Sequence, residues 1–336
     1  MPVPLQMWLR VMVWFEFLIC GVLLTFFAYN LCKEGVIISD RTHLEEGVIG
    51  MFFLAVATSF PEIVTGGVAV FALDKVGLGY GDIVGSVMAN LMILSALDYF
   101  SGKGRILSKV SSLNRVTGIF VVGVVSVVLV SIILRFKTGF MPVFGRVGIE
   151  SIFIVLIYFV YLRLVHKRSS TGHKSIYHVE TESFWNIWAK FILFLVVVIF
   201  LGMWMAKISE KIVLSTGMSE TFTGTLILGV ATSLPEIIVS FTALRAASID
   251  MAVGNILGSN LFDVCIIPFF DVLCKKPILG LLTPGQILAT VLVLILSIIA
   301  AGSMFIKKQD RSKIGWDTGL IFIVGSAGFV LLYFIR

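Results

Sequence analysis

The chain has 336 residues, 58% of them hydrophobic and only 14% charged, with a formal net charge of +6 and a mean hydropathy of +1.04. A soluble domain carries about 25% charged residues and could not keep this much apolar surface from water. The composition therefore excludes a soluble domain, and it assigns the positive charge to loops beside anionic lipid rather than to a nucleic-acid surface.

Apolar runs of about 20 residues, each long enough to cross a ~30 Å hydrocarbon layer, recur along the whole length. In chain order they lie near residues 11–31, 46–73, 80–100, 114–134, 142–164, 184–206, 219–246, 252–273, 284–306 and 315–335. The first follows Arg10 without a small-x-small cleavage pattern, so it reads as a span rather than a removed signal. Turn-rich punctuation separates the later runs, as in Ser101-Gly102-Lys103-Gly104-Arg105 and Pro284-Gly285. The polar stretch 166–183 divides a five-span unit, 1–165, from a second five-span unit, 184–336. It is too short for a separate regulatory domain. An odd number of spans per unit makes the units enter the membrane in opposite directions, so the expected fold is all-α, with ten transmembrane helices in two inverted five-helix repeats. With the N- and C-termini outside, the inner loops hold fifteen Lys and Arg and the outer segments ten, which favours that orientation.

One stretch occurs twice. Ala57-Thr58-Ser59-Phe60-Pro61-Glu62 returns 174 residues later as Ala231-Thr232-Ser233-Leu234-Pro235-Glu236, inside spans 2 and 7. A second polar motif follows each copy: Ser86 with Asn90, and Ser259 with Asp263, each pair at i, i+4 on one helix face. The two motif regions are 55–90 and 229–263. Proline has no N–H for the carbonyl four residues back, so Pro61 and Pro235 should break spans 2 and 7 and free the carbonyls of Ala57 and Ala231. Within lipid a freed carbonyl must line a cavity or meet a ligand. Ala55, Thr58 and Glu62 share one helix face, as do Gly229, Thr232 and Glu236. Pooled, the copies offer carboxylate, amide, hydroxyl and carbonyl oxygens without thiolate or imidazole. Such hard donors suit Ca²⁺ or Na⁺ and are a poor match for zinc or copper. Acids crowded in a low dielectric need cations or protons beside them, and mutually exclusive occupancy of one anionic site is the physical basis of exchange.

These residues resemble the sodium/calcium exchanger branch of the cation/Ca²⁺ exchanger superfamily, in its prokaryotic form with two repeats. The resemblance covers both motif regions and the ten-span layout. It implies Na⁺/Ca²⁺ antiport by alternating access, with the first and sixth spans sliding against an ion-holding core. Glu62 and Glu236 would pair on Ca²⁺, with Thr58 and Thr232 adding oxygens. Ser59, Ser86, Ser233 and Ser259, with the carbonyls of Ala55 and Gly229, would line flanking Na⁺ sites. Asn90 and Asp263 would complete the centre. The resemblance implies no enzyme activity, no cofactor, no nucleic acid and no obligatory protein partner; it implies a multi-pass protein of the cell membrane whose partners are the bilayer and inorganic cations. Two departures stand out: Val87 replaces the usual Asn, and Asp82 another. Proton-coupled relatives carry Asn three residues before the acid, where this chain has Ser59 and Ser233. Na⁺ coupling is therefore preferred over a Ca²⁺/H⁺ antiporter.

Bland readings suffice for the remaining candidates. Asp82 near the start of a span reads as interfacial or capping, and Asp98 and Asp271 near span ends as interfacial. Glu150 and Lys190 read as interfacial or snorkelling, Trp14, Trp185, Trp188 and Trp204 as interface-belt residues, and His166, His173 and His178 as solvated loop. The four cysteines (Cys20, Cys32, Cys265, Cys274) show no C-x-x-C spacing and read as small hydrophobes. An intramembrane hydrolase would need a catalytic pair that the apolar runs lack, since all four histidines fall outside them. A channel would share oxygen-lined sites but pass ions without counter-ion.

Overall fold

The computed structural model describes residues 3–40, 54–102, 104–139, 142–144, 147–168, 183–245, 248–274, 277–306 and 314–335. The expected 166–183 boundary and its histidines lie largely outside these residues, as do several loop cations used to orient the chain, among them Arg41, Lys103, Lys174, Lys307 and Lys308.

The chain is an all-helical membrane protein apart from one small ribbon. Helix α1 spans Val3–Asp40. Span 2 is interrupted, with α2 at Ala55–Thr58 and α3 at Phe60–Phe71. Next come α4 (Val76–Ser101) and α5 (Ser112–Thr138). Strands β1 (Val143–Phe144) and β2 (Val147–Gly148) pair antiparallel, and α6 covers Ile149–Arg168. The second half opens with α7 (Phe184–Thr216). Span 7 is again composite: α8 (Glu220–Phe222), a π-helical turn at Thr223–Leu228, α9 (Gly229–Thr232) and α10 (Leu234–Arg245). Helices α11 (Ile249–Leu273), α12 (Pro284–Ser303) and α13 (Trp316–Phe334) complete it. Among the described residues, eight segments are long and apolar enough to cross a membrane.

Three expected boundaries move. The span placed at 142–164 begins as a helix only at Ile149, because residues on either side of 145–146 pair as the β1–β2 ribbon. The span at 184–206 continues to Thr216, and α1 runs well past both ends of 11–31. Hydropathy marks the apolar centre of a helix, but a helix goes on until a cap stops it; α7 stops at Gly217 with φ +71°.

Helices α4 and α11 are central: 78% and 72% of their most apolar windows are buried, against 22% for α1 and 33% for α7. Helix α1 packs along α7 through Cys20, Leu24, Ala28 and Leu31 against Val198, Leu201, Met205 and Ile208. This outer pair forms its own apolar cluster, while α4, α5, α11 and α12 share the main core.

The ends of α4 and α11 carry a repeated device. Asp98 and Asp271, 173 residues apart, were expected at the interface but are completely buried. Asp98 accepts hydrogen bonds from Ile106 N (2.9 Å), Gly315 N (2.6 Å) and Thr318 Oγ1 (2.6 Å). Asp271 accepts from Ile278 N (2.7 Å), Gly148 N (3.1 Å) and Ser151 Oγ (2.7 Å). Each carboxylate thus caps the turn after its own helix and the first turn of the last helix in the opposite half. Burial is tolerable because three donors replace water.

Helix α4 and span 7 approach each other backbone to backbone. Gly81 and Gly85 of α4 lie against Gly224, Thr225 and Gly229 of span 7, and a Cβ on Gly85 would collide with the Thr225 carbonyl. Neither side can retreat, since Gly229 abuts Gly85 and Ser86 in turn. Gly85→Ala should therefore lower the melting temperature of the purified protein, with a cost of about 1–3 kcal/mol for overpacking. Gly123→Ala in α5, where an added Cβ meets nothing within 4 Å, should leave it unchanged or raise it, because Ala is the better helix former.

Candidate functional site

The two Thr-Ser-x-Pro-Glu stretches adopt one local geometry. Helices α2 and α9 each run into a serine with nearly the same backbone, Ser59 at φ −83°, ψ 5° and Ser233 at φ −80°, ψ 1°. New half-helices then begin at Phe60 and Leu234. The breaks expected at Pro61 and Pro235 are centred two residues earlier, on the serines. Each proline occupies the second position of the new half-helix, where its missing N–H costs nothing. Glu62 and Glu236 follow in the first turn, at the end of the helix dipole that favours negative charge. The sequence thus builds two half-helix N-termini inside the bundle, each presenting a carboxylate.

Packing of α4 and α11 against these breaks joins the copies crosswise. Ser86 of the first copy lies 3.1 Å from Glu62 Oε1, 3.2 Å from the Gly229 carbonyl and 3.1 Å from Thr232 Oγ1. In the mirrored relation, Ser259 of the second copy lies 3.0 Å from Thr58 Oγ1, and both hydroxyls stand beside Glu236. Ser233 donates to the Gly229 carbonyl at 2.8 Å. Ser59 is the hydroxyl nearest Asp263. Ala55 contributes its carbonyl, already engaged by Ser59 N (3.0 Å) and Thr58 Oγ1 (3.2 Å). Asn90 is buried one turn beyond Ser86 and hydrogen-bonds to none of the others.

Asp82 corrects the sequence reading. It lies almost two turns inside α4 and is completely buried. Its Oδ1 accepts from Thr232 at 3.0 Å, and its Oδ2 is in short contact with the Thr65 hydroxyl. It is also close enough to Glu62, Glu236 and Asp263 to repel them. Asp82, Ser86 and Asn90 form an i, i+4, i+8 ladder, matched by Asn255, Ser259 and Asp263. The ladder was present in the sequence, but hydropathy placed the start of α4 too late and so put Asp82 at the membrane edge. Asn260 was also missed. Its amide is buried without a partner, whereas its counterpart Val87 is packed in the hydrophobic core.

The chemistry of this region is an excess of acceptors. Thr65, Thr232 and Ser86 have one hydroxyl proton each. Within reach of those three protons lie six acceptors: both Asp82 oxygens, Glu62 Oε1 and the carbonyls of Pro61, Leu228 and Gly229. Glu62 Oε2 and both oxygens of Glu236 and Asp263 are buried and make no hydrogen bond of good geometry. Unpaired buried acceptors are costly, and either a cation or a proton relieves them. Among the described residues no three acidic, histidine or cysteine side chains form a ready-made metal cage. The donors between the acids are hydroxyl and carbonyl oxygens, which suit ions that bind and leave.

Comparison with known proteins agrees with this chemistry. The family described as sodium/calcium exchanger protein matches residues 12–166 and 186–335. An uncharacterised membrane protein of Methanocaldococcus jannaschii is 25% identical over 232 residues, covering 68% of this chain and 70% of that protein. The human sodium/potassium/calcium exchanger 2 is 31% identical over 134 residues, 38% of this chain but only 19% of its own length. Among solved structures, the sodium-calcium exchanger NCX_Mj superposes with a TM-score of 0.63 at 20% identity, covering 96% of this chain and 99% of that one. YfkE superposes with a TM-score of 0.65 at 16% identity, over 99% and 97%. With the family profile matching nearly the whole length, the chain is a multi-pass membrane transporter, not an enzyme, and belongs to the sodium/calcium exchanger protein family.

Proposed function

We propose that this protein is a secondary antiporter that moves Ca²⁺ against Na⁺ by alternating access. The observation that carries the reading is the crosswise, acceptor-rich cluster, in which Glu62, Glu236, Asp263 and Asp82 are completely buried among hydroxyls and carbonyls. Ca²⁺ is held by Glu62 and Glu236 with oxygens from Thr58 and Thr232. Na⁺ ions occupy the flanking positions lined by Ser59, Ser86, Ser233 and Ser259 with the carbonyls of Ala55 and Gly229. Asn90 and Asp263 close the centre. Either load neutralises the same acids, so one displaces the other, and an empty, highly charged cluster is a poor passenger through the membrane.

The whole chain forms ten spans: the eight long apolar segments, the broken span 2 with α3, and α6. They divide into units 1–165 and 184–336 of opposite orientation, joined by 166–183. The paired caps of Asp98 and Asp271 and the paired breaks at Ser59 and Ser233 support that repeat. The termini face outward at the cell membrane. Access alternates as α1 and α7 slide over the core, and the apolar contact between that pair and α3, where Gly202 meets Val64, supports such a motion.

A Ca²⁺/H⁺ antiporter is the second reading. Asp82 favours it, because a further buried acid is a further place for a proton. Proteoliposomes separate the two. Ca²⁺ uptake should follow an outward Na⁺ gradient and fail under a pH gradient alone; uptake driven only by the pH gradient would establish proton coupling. Glu62→Gln and Glu236→Gln should each abolish uptake while melting near the wild-type temperature, and near-normal uptake in both would refute the site.

Asp82→Asn makes the first copy match Asn255 of the second. It should preserve Ca²⁺ binding and change the dependence of exchange on the monovalent ion; an unchanged monovalent dependence would return Asp82 to a structural role. Asn90→Asp should alter cation preference, and an unchanged profile would place Asn90 outside the ions' reach.

A further inference from the structure

Glu150 stands apart from the ion site and does not snorkel as the sequence suggested. It is 3% exposed, and its Oε1 is buried without a hydrogen-bond partner. The carboxylate is folded back over Gly148, where any Cβ would strike it. It opens on a cavity of about 430 Å³ between α5 and α6, lined mainly by apolar residues including Val130, Leu134, Ile149 and Phe153. A volume in the range of roughly 300–1,000 Å³ is typical of small-molecule sites.

The position of the cavity indicates its occupant. Val130, Leu134, Ile149 and Phe153 are all exposed on the outside of the bundle, so the medium against the groove is the bilayer itself. The groove follows α5 from Ser126 to Leu134, about 12 Å at 1.5 Å per residue, and Glu150 closes it in the first turn of α6, at the end nearest the loops. An acyl chain thus has an apolar slot, and the headgroup arrives at a carboxylate whose Oε1 lacks a donor. The Arg135 guanidinium lies close enough to interact with Glu150 electrostatically, and Asp271 on the other side is already satisfied by three donors. A carboxylate at the mouth, with the Arg135 charge within electrostatic range, matches an ammonium and a phosphate carried on one headgroup.

We propose that the groove between α5 and α6 is a binding site for a phospholipid with a primary ammonium headgroup, the ammonium donating to Glu150 and the phosphate facing Arg135. Phosphatidylethanolamine has the N–H donor that Glu150 Oε1 lacks. Phosphatidylcholine has the same charges and no N–H, and phosphatidylglycerol adds net negative charge beside a buried carboxylate. The site is independent of which ions the protein exchanges.

The test is lipid retention by the purified full chain, read by native mass spectrometry after equilibration with equal amounts of phosphatidylethanolamine, phosphatidylcholine and phosphatidylglycerol. Phosphatidylethanolamine should be retained about tenfold over phosphatidylcholine, the discrimination worth one hydrogen bond to a charged group. Glu150→Gln should reduce that preference to near parity. Ser131→Trp fills the groove away from the carboxylate; Ser131 otherwise only donates to the Val127 carbonyl of its own helix, at 2.8 Å. It should reduce retention of all three lipids and keeps the proposal testable if Glu150→Gln fails to fold. Equal retention of phosphatidylethanolamine and phosphatidylcholine by the wild type, preference for phosphatidylglycerol, or an unchanged preference in a folded Glu150→Gln protein would each overturn the assignment.

Discussion

The structure depends on close contact between the α4 backbone and the backbone of span 7. Gly81 and Gly85 meet Gly224, Thr225 and Gly229 with no side chain between them. That approach brings Ser86 to Thr232 and the Gly229 carbonyl, and so places the second motif of one half on the first motif of the other. Had either helix carried a Cβ at the crossing, the Ser86 hydroxyl would be too far from the Gly229 carbonyl to bond to it. The ion cluster is thus built on van der Waals contact between main chains, and the conspicuous acids are placed by residues with no side chain at all.

The proline breaks matter for a related reason. A continuous helix consumes its own carbonyls and keeps its dipole ends outside the membrane. The interruptions at Ser59 and Ser233 bring two N-termini inside, each with a glutamate in the first turn. Two such ends facing a common region place favourable partial charge behind each acid. The fold could not bury four carboxylates in one region otherwise, as the contrast with Asp98 and Asp271 shows. Those two need three donors each and are fully satisfied by protein, whereas Glu62, Glu236 and Asp263 are left with unpaired oxygens.

Much of this was legible in the sequence, and the failures are instructive. The repeated motifs, the breaks and the apolar spans were readable because each rests on a local rule: proline chemistry, helical periodicity or hydrocarbon thickness. Asp82 was missed because hydropathy averages over a window and cannot tell a buried acid in the second turn of a helix from a cap at its edge. Glu150 was misread for the opposite reason: nothing in its sequence neighbourhood shows that Gly148 leaves room for the carboxylate to fold inward. The burial of Asp98 and Asp271 depends on helix ends more than 100 residues away, which no local pattern encodes. Asn260 and Val87 show that the halves have diverged, since one position carries an unpaired amide in one copy and an apolar core residue in the other.

The lengths of α1 and α7 have a consequence of their own. At 38 and 33 residues they measure about 57 and 50 Å, well beyond a ~30 Å hydrocarbon layer. Such helices must lean or protrude, and the lean depends on the thickness of the surrounding lipid. Their seam is mainly apolar, with a weak bond from Cys20 to the Leu201 carbonyl and an exposed ion pair between Lys211 and Glu16 at 3.1 Å. Any change of lean in this pair works against its apolar packing on Ala69, Leu78, Leu228 and Ala231 as well as against the bilayer. Lipid thickness therefore becomes a thermodynamic variable of the protein, acting on the lean of this outer pair without touching the buried acids.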